Sequence, residues 1–320
     1  MKSYSEKQVV TVAVITYHSA LTVIETLDSI VHQSYGAERI ELIISDDGST
    51  DNTVQVIDEW LLHHRNKFYR AIFFANKCNG GISKNCNIAW KAATSEWIKT
   101  IAGDDILLPT CISDNVNYIN SQEGENISVL FSKMQSFKVE ASGLRSNLSI
   151  LPTHDELHFF QLSALEQYRH LQREGITGSP SVFINREKLS DIGFADERFL
   201  VEDFPLWFKF VSGGIKLHFM DVVTVFYRVG DSVSRNKTTL INKRFINDLI
   251  NIDDVLVIPS LRRRDIITIF RKKVWTRLSL VIAAIFRNRV NFISRLIMLS
   301  IFSIRPGFLK HQIYKLKKKG

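Results

Sequence analysis

The chain has 320 residues, 45% of them apolar and 23% charged, which is the composition of a globular protein and excludes wholesale disorder. Its length allows one large core and an additional small domain. The formal net charge of +8 is divided unevenly: residues 262–320 contain 16 Lys and Arg and one acid, whereas the rest contains 25 basic and 32 acidic residues. The basic character therefore belongs to the C-terminal segment.

Cysteine usage and the N-terminal sequence both favour the cytoplasm. Cys78, Cys86 and Cys111 form no Cys-x-x-Cys pair, which argues against a disulfide framework or a zinc knot. The first seven residues run directly into an apolar strand, without the features of a secretory signal. We therefore expect a cytoplasmic protein.

The first hundred residues alternate between strand and helix patterns. Residues 9–15 are a nearly continuous, β-branched apolar run, which is typical of a strand buried on both faces of a parallel sheet. Further strands are predicted at 40–44, 71–74 and 97–101, and helices at 21–33, 53–62 and 83–93. This alternation predicts an α/β sandwich with right-handed crossovers, in which ligands bind beyond the carboxyl ends of the strands.

The alternation weakens from residue 106 to about residue 230. The patterns predict a short strand at 129–131, one amphipathic helix at 154–173 and a strand at 181–185. We expect this half to complete the sheet and to shape the pocket of a second substrate.

Two acids, Asp46 and Asp47, follow the second predicted strand. Like charges at a strand end repel one another unless a ligand or donor group offsets them, and the N–H edge of a nucleobase is one such partner. Residues 49–51 suit a helix cap equally well, so turn and cap chemistry is an alternative there.

A second acidic pair, Asp104 and Asp105, follows the strand at 97–101. Adjacent carboxylates can bind a hard divalent cation that bridges the phosphates of a nucleotide diphosphate. If this pair stood alone, a solvated loop and helix cap would be the better interpretation.

A glycine turn, Gly80-Gly81, opens the helix predicted at 83–93 and brings Lys84 to its first turn. Free amides at a helix start suit a phosphate, although this signal is weak by itself. The sequence contains neither Gly-x-Gly-x-x-Gly nor a Gly-Lys-Ser/Thr loop, which disfavours dinucleotide oxidoreductases and P-loop ATPases.

Four segments together carry a family resemblance. They are Val-Ile-Thr-Tyr at 14–17, Ser-Asp-Asp-Gly-Ser-Thr-Asp at 45–51, Asn-Gly-Gly-Ile-Ser at 79–83 and Gly-Asp-Asp at 103–105. In order and spacing they resemble the family 2 glycosyltransferases that build bacterial surface polysaccharides, over roughly residues 8–235. The resemblance implies the GT-A fold, a Rossmann-like α/β sandwich with a mostly parallel, mixed central sheet.

The resemblance also implies roles for the matching residues. Contacts to the nucleotide sugar are implied for Thr16, Tyr17, Asp46, Asp47, Lys84 and Asp104. Asp104 and Asp105 match the region that binds Mn²⁺ or Mg²⁺. Ala102 stands where many members have the first aspartate, which leaves open how Asp104 and Asp105 divide donor and metal binding.

The catalytic base is implied later in the chain, where Glu202-Asp203 resembles the family's Glu-Asp motif. Asp203 would deprotonate the acceptor hydroxyl for an inverting displacement. Glu202, Gly178 and Ser179 are weaker candidates for the acceptor pocket. The alternatives are a helix N-terminus stabilised by acids and a plain turn at 177–181.

The basic segment at 236–320 is predicted to form amphipathic helices. Its apolar stretches at 278–286 and 292–304 are interrupted by Arg287 and Arg295, so neither is long enough to span a bilayer. Basic side chains beside aliphatic runs favour an anionic inner membrane surface over nucleic acid or a solvated helix face.

The sequence therefore predicts two domains, a catalytic domain at 1–235 and a membrane-associating tail at 236–320. The donor half of the first would be residues 8–105 and the acceptor half residues 106–235. We expect an inverting, metal-dependent transferase that moves a sugar from a UDP-sugar to a lipid-linked saccharide in O-antigen or capsule synthesis. The alternatives are a sugar nucleotidyltransferase and a non-catalytic membrane-bound scaffold.

Overall fold

Continuous apolar runs place the first strands at the centre of one mixed sheet. The computed structural model describes residues 8–122, 125–140, 142–230, 239–262, 265–305 and 308, and within them nine strands form this sheet. The strands are β1 (Val10–Thr16), β2 (Ile40–Asp46), β3 (Arg70–Ala75), β4 (Trp97–Ala102), β5 (Ile106–Leu107), β6 (Val129–Val139), β7 (Arg145–Leu151), β8 (Phe183–Asn185) and β9 (Leu217–Arg228). Their order is β3-β2-β1-β4-β8-β6-β9-β5, and β7 pairs with β6.

The helices alternate with the strands in the first half and follow one another near the C-terminus. They are α1 (Val23–Val31), α2 (Thr53–His64), α3 (Ile82–Ala92), α4 (Cys111–Ser121), α5 (His158–Gln161), α6 (Ala164–Leu171), α7 (Arg186–Asp191), α8 (Asp203–Ser212), α9 (Lys243–Ile252), α10 (Ile258–Ser260), α11 (Ile266–Ile285) and α12 (Phe292–Phe302). A π-helical turn, Asp253–Val257, joins α9 to α10. The predicted α/β sandwich with a mixed central sheet and C-terminal helices is confirmed.

Parallel pairing brings the first strands to a common edge. β1 pairs in parallel with β2 and β4, and β2 pairs in parallel with β3. Thr16 lies opposite Asp46, and Ile15 lies opposite Ala102. The residues that follow these strands therefore meet at the carboxyl-terminal edge of the sheet.

The second half contains more elements than were predicted, since strands β5, β7 and β9 and helices α4 and α7 were not among them. The helix expected at 154–173 is divided into α5 and α6, because Ser163 and Glu166 form a capping box: the Ser163 N–H and hydroxyl donate to Glu166 at 3.0 and 2.7 Å. The exposed hairpin strand β7 was not predicted, since it lacks the buried alternating pattern of a core strand.

The chain divides into two compact units, residues 1–167 with 176–229 and residues 168–175 with 230–320. The sheet and its flanking helices form the first unit. In the second unit, Ile246 of α9, Trp275, Ile282 and Ala283 of α11, and Ile301 of α12 share an apolar core. Residues 236–238, 263–264, 306–307 and 309–320 of the predicted tail, and residues 231–235 at the end of the predicted catalytic domain, lie outside the described residues.

None of the helices in the described ranges is both long enough and apolar enough to cross a membrane. The longest, α11, has 20 residues and carries Arg271, Lys272, Lys273 and Arg277. This finding agrees with the interrupted apolar stretches of the sequence.

Gly48 permits a close contact between two loops at the carboxyl-terminal edge. Its φ is +71°, and a Cβ atom there would lie 2.6 Å from the carbonyl carbon of Cys78. The loop after β2 therefore reaches the backbone of the loop before α3 only with glycine at this position.

We expect Gly48→Ala to lower the free energy of unfolding by at least about 1 kcal/mol more than Gly193→Ala, because it adds a steric clash to the same backbone strain. Gly193 is a matched control, since its φ is +80° and no described atom would lie within 4 Å of its Cβ. Urea denaturation of both variants measures the difference. Equal losses of unfolding free energy in the two variants would show that the two loops can move apart without destabilising the fold.

Candidate active site

Asp46 organises the turn after β2. Its Oδ1 accepts hydrogen bonds from the hydroxyls of Thr16 (2.9 Å) and Ser49 (2.6 Å), and its Oδ2 accepts one from the Ser49 N–H (2.7 Å). Both Asp46 and Thr16 are buried. The protein itself supplies donors to Asp46, so a contact from this carboxylate to a nucleobase stays a prediction.

Asp47 fixes the glycine turn before α3. Its two oxygens accept hydrogen bonds from the N–H groups of Gly80 (2.7 Å) and Gly81 (2.9 Å). The repulsion between Asp46 and Asp47 is thus offset by donors within the chain. Each oxygen of Asp47 can accept a further hydrogen bond, so a contact from Asp47 to a nucleobase is still possible and stays a prediction.

Tyr17 and His18 form an exposed aromatic pair at the same edge. Their ring centroids are 4.1 Å apart with an interplanar angle of 20°, and Tyr17 is 48% exposed. The His18 N–H donates to the Ser49 hydroxyl (2.8 Å), and the Thr50 N–H donates to His18 Nε2 (3.2 Å). These bonds hold the pair beside the turn that Asp46 organises.

Asp104 and Asp105 follow β4 and differ in exposure. Asp105 is buried, and its Oδ1 accepts a hydrogen bond from the Arg228 N–H at 2.8 Å, whereas Asp104 is exposed. Burial raises the pKa of Asp105 well above its usual value, and the charge of Asp104 raises it further. Desolvation also raises the pKa of Asp104, against the opposing charge of Arg228. Asp104 is therefore the carboxylate of this pair that is accessible to a ligand.

The described residues contain no cluster of three His, Cys, Asp or Glu that forms a complete metal cage. Magnesium-type cations are usually held by one or two carboxylates together with substrate phosphates and water. Two adjacent carboxylates with raised pKa values suit such a shared site, because a cation would neutralise them. The residues fit a divalent cation that binds jointly with a diphosphate.

Helix α3 connects this edge to the segment that precedes α8. The Ser83 hydroxyl donates to the Phe199 carbonyl (2.9 Å), and the Asn87 amide donates to the Ala195 carbonyl (3.0 Å). Lys84 is exposed in the first turn of α3, and its aliphatic chain lies against Gly80. Lys84 is therefore available at the carboxyl-terminal edge of the sheet.

The buried Cys86 of α3 is subject to the charges of both acidic regions. Burial raises the pKa of its thiol, and the charges of Glu202, Asp203 and Asp47 raise it further. The charges of Asp47 and Asp203 therefore act on the same thiol although 156 positions separate the two acids in the sequence.

Asp203 begins helix α8 and is held on both oxygens. Its Oδ1 accepts a hydrogen bond from the Phe204 N–H (2.6 Å) and its Oδ2 one from the Ser179 hydroxyl (3.1 Å). The indole N–H of Trp207 donates to the same hydroxyl oxygen (3.3 Å). The helix-start interpretation of Asp203 and its implied role as a base are thus compatible, since the helix presents the carboxylate.

Gly178 and Ser179 contribute in different ways. Gly178 is buried, with a φ of +143°, and a Cβ there would lie 3.0 Å from the Phe131 ring. Ser179 begins the 3₁₀ turn Ser179–Ser181 and contacts Asp203 directly. Of the two residues, Ser179 has the contact to the implied base.

The carboxyls of Glu202 and Asp203 both lose solvation. Burial and the charge of Asp203 raise the pKa of Glu202 to about 8. Burial also raises the pKa of Asp203, but the hydrogen bonds from Phe204 and Ser179 favour its ionised form. At neutral pH Glu202 therefore keeps its proton.

Sequence reasoning missed Lys99 and Arg228. Lys99 is fully buried in β4, where its ammonium donates to the carbonyls of Pro180 (2.6 Å) and Val182 (3.3 Å), and burial lowers its pKa to about 8. A lone lysine within an otherwise apolar strand was a signal for it. Arg228 had no comparable signal, since it is one basic residue at the end of a long strand.

The chain matches the model of glycosyl transferase family 2 over residues 11–171. The chain belongs to this family. This membership favours sugar transfer over nucleotidyl transfer and a scaffold role, which the sequence left open. The predicted family resemblance is confirmed.

Two curated relatives of this family 2 glycosyltransferase come from bacteria. The UDP-Glc:alpha-D-GlcNAc-diphosphoundecaprenol beta-1,3-glucosyltransferase WfaP of Escherichia coli is 26% identical over 233 residues, which cover 72% of this chain and 81% of WfaP. The minor teichoic acid biosynthesis protein GgaB of Bacillus subtilis is 25% identical over 236 residues, which cover 72% of this chain but 24% of GgaB.

Among solved structures, Staphylococcus aureus TarS (residues 1–349) in complex with UDP-GlcNAc superimposes with a TM-score of 0.60. The match covers 93% of this chain and 82% of that chain at 19% sequence identity. This likeness confirms the predicted GT-A fold of the family 2 glycosyltransferase.

The raised pKa of Glu202 predicts how the stability of this glycosyltransferase depends on pH. Between the ordinary value of 4.5 and about 8, the folded protein keeps the Glu202 proton while the unfolded chain has lost it. This contribution to stability is complete below pH 4.5 and is lost as the pH rises through 8.

We expect Glu202→Gln to remove this loss, which amounts to at most about 1.4 kcal/mol per pH unit. Guanidinium denaturation of wild type and variant at pH 5, 6.5 and 8 measures the free energy of unfolding. The stability of the variant relative to wild type should increase as the pH rises. A constant difference at all three pH values would contradict a raised pKa for Glu202.

Proposed function

We propose that this chain is an inverting glycosyltransferase that moves a sugar from a UDP-sugar to a saccharide acceptor carried on a lipid, in surface polysaccharide synthesis of the O-antigen or capsule type. The observation that carries the proposal is the hydrogen bond that holds Asp203 to Ser179, at the start of a helix whose preceding segment is bonded to α3 at the carboxyl-terminal edge. The printed name of WfaP, which states a UDP-Glc donor and a diphosphoundecaprenol acceptor, supports the choice of substrates.

Asp203 acts as the general base in a single displacement. Its carboxylate accepts the proton of the acceptor hydroxyl while the hydroxyl oxygen bonds to the anomeric carbon of the donor sugar. The bond from that carbon to the diphosphate oxygen breaks, and its electron pair leaves with UDP. The ring carbon is attacked from the face opposite the leaving group, so its configuration inverts.

The donor lies across the carboxyl-terminal edge of β1, β2 and β4. Tyr17 presents an exposed ring for the base, and Thr16, Asp46 and Asp47 shape the surrounding turns. Lys84 supplies a positive charge near the start of α3, where free amides favour phosphate.

Asp104 and Asp105 would hold Mn²⁺ or Mg²⁺, with Asp104 as the accessible ligand. A bound cation supplies charge neutralisation for the departing diphosphate. The contribution of the chain is to present Asp104 while Asp105 anchors the loop to Arg228.

We expect Asp203→Asn to lower the rate of sugar transfer by about 10²–10⁴-fold, because the amide cannot accept the proton of the acceptor. The affinity for UDP should stay near that of wild type, since the base acts on the acceptor. Transfer from a UDP-sugar to a lipid-linked saccharide is followed by mass spectrometry, and UDP binding by calorimetry.

Asp191→Asn is the matched control, since Asp191 is exposed on α7 and pairs with Lys188. It should leave both quantities unchanged. An equal loss of transfer and of UDP affinity in Asp203→Asn would show that Asp203 binds the donor, and would contradict its role as the base.

The tail helices dock on the inner face of the plasma membrane. Both α11 and α12 expose large apolar side chains: Ile266, Ile267, Phe270, Leu278, Val281 and Ile285 on α11, and Phe292, Ile293, Leu296, Leu299 and Phe302 on α12. Lys273 and Arg295 are exposed among them. Apolar residues interspersed with basic ones suit an anionic lipid surface, where a lipid-linked acceptor is found.

We expect the double variant Leu296→Glu, Leu299→Glu to weaken binding to phosphatidylglycerol vesicles by at least about tenfold, because each substitution removes apolar contact and adds repulsion. Both side chains are exposed (49% and 65%), so the fold should tolerate the change. Leu62→Glu on α2, where Leu62 is 81% exposed, is the control.

Vesicle sedimentation measures the binding. Wild type should pellet with phosphatidylglycerol vesicles and stay in solution with phosphatidylcholine vesicles. Wild type that pellets with neither would contradict membrane docking, and equal losses in the double variant and Leu62→Glu would remove α12 from the docking surface.

A further inference from the structure

Arg228, the last residue of β9, contacts the acidic loop after β4 in two ways. Its backbone N–H donates to Asp105 Oδ1 (2.8 Å), and its side-chain Nε donates to the Asp104 carbonyl oxygen (2.8 Å). β5 follows Asp105 immediately and pairs with β9, with Ile106 opposite Phe226. One residue therefore fixes the peptide that carries the accessible carboxylate and also binds the neighbouring carboxylate.

The guanidinium of Arg228 is itself fixed from the other side. Its Nη2 donates to Glu25 of α1, and its Cζ atom lies 4.7 Å from the centroid of the Phe137 ring. Glu25 also accepts from Arg145 of β7 (2.7 Å), whose guanidinium lies 5.4 Å from the same ring. These four residues, Glu25, Phe137, Arg145 and Arg228, form a cluster that we name the arginine clamp.

Electrostatics favours the charged form of the clamp. Burial alone would raise the pKa of Glu25, but the hydrogen bonds and charges of Arg145 and Arg228 lower it instead. The side chain of Arg228 is 14% exposed, whereas those of Glu25 and Arg145 are 44% and 46% exposed. The outer Glu25–Arg145 pair should therefore add little to the stability of the fold, because solvent screens it. The contacts of the largely buried Arg228 should contribute more.

The orientation of Asp104 depends on these inner contacts. An aspartate side chain has only two rotatable bonds, so fixing its peptide restricts its carboxylate to the few rotamers that this backbone conformation allows. Partners that orient a ligand in this way typically change metal affinity when they are lost.

We propose that Arg228 is a positioning residue for the donor and cation site, held in place by Glu25 and, through Glu25, by Arg145. This inference rests on the proposed function, because it assigns the Asp104 loop to the metal–diphosphate site. It adds that the hairpin β6–β7 and helix α1 take part in ordering that site, although neither carries a residue of the family motifs.

The test measures Mn²⁺ binding in the presence of UDP, by electron paramagnetic resonance and calorimetry, for wild type, Arg228→Ala, Arg228→Lys and Glu25→Gln. Arg228→Ala should weaken Mn²⁺ binding by about 10–100-fold. Arg228→Lys should recover part of the loss, because an ammonium can reach one partner but lacks the planar fork that joins two. Glu25→Gln should fall between wild type and Arg228→Ala.

Arg70→Ala is the matched control. Arg70 of β3 pairs with the buried Glu41, near the amino ends of the strands and thus at the opposite edge of the sheet. This variant should lower the melting temperature while leaving Mn²⁺ and UDP binding unchanged. The comparison separates loss of an Arg–Glu pair from loss of orientation at Asp104.

Mn²⁺ binding within twofold of wild type in Arg228→Ala would overturn the inference and leave the proposed function intact. Wild type that binds neither UDP nor Mn²⁺ would contradict the proposed function and the inference together. If Arg228→Ala fails to fold, unchanged binding in both Arg228→Lys and Glu25→Gln would overturn the inference.

Discussion

Mutual repulsion between neighbouring carboxylates is the constraint on which this site depends. Three acidic pairs lie at or beside the carboxyl-terminal edge of the sheet: Asp46–Asp47, Asp104–Asp105 and Glu202–Asp203. Each pair must be offset by hydrogen-bond donors, by protonation or by a bound cation. The way in which the repulsion within each pair is offset indicates whether that pair shapes the fold or is available for chemistry.

The first pair is satisfied within the protein, because Asp46 and Asp47 accept hydrogen bonds from Thr16, Ser49, Gly80 and Gly81. The other two pairs retain raised pKa values. Groups with perturbed ionisation concentrate at functional sites, where a proton or cation completes the arrangement. The raised pKa values of the second and third pairs are consistent with the proposed cation at Asp104 and the proposed base Asp203.

Distant segments of the sheet unit supply the donors that keep these carboxylates in place. Lys99 ties β4 to the turn that presents Ser179 to Asp203, and Arg228 ties the end of β9 to the loop of Asp104. Lys99 and Arg228 thus link segments that are far apart in the sequence. The loop that follows Ala102 is held by the bonds from Arg228 to Asp104 and Asp105.

Local pattern determined much of the fold and the identity of the acids. Continuous apolar runs at β1, β2 and β4 predict buried parallel strands. The residues that follow parallel strands lie at the same edge of the sheet. The acids at 46–47 and 104–105 could therefore be assigned to one crevice from the sequence. Only the tertiary structure decided that Asp104 is accessible and Asp105 buried, that Ser179 contacts Asp203, and that Arg228 holds the loop. These outcomes depend on hydrogen bonds between residues up to 124 positions apart, and neither periodicity nor turn chemistry carries information over such distances.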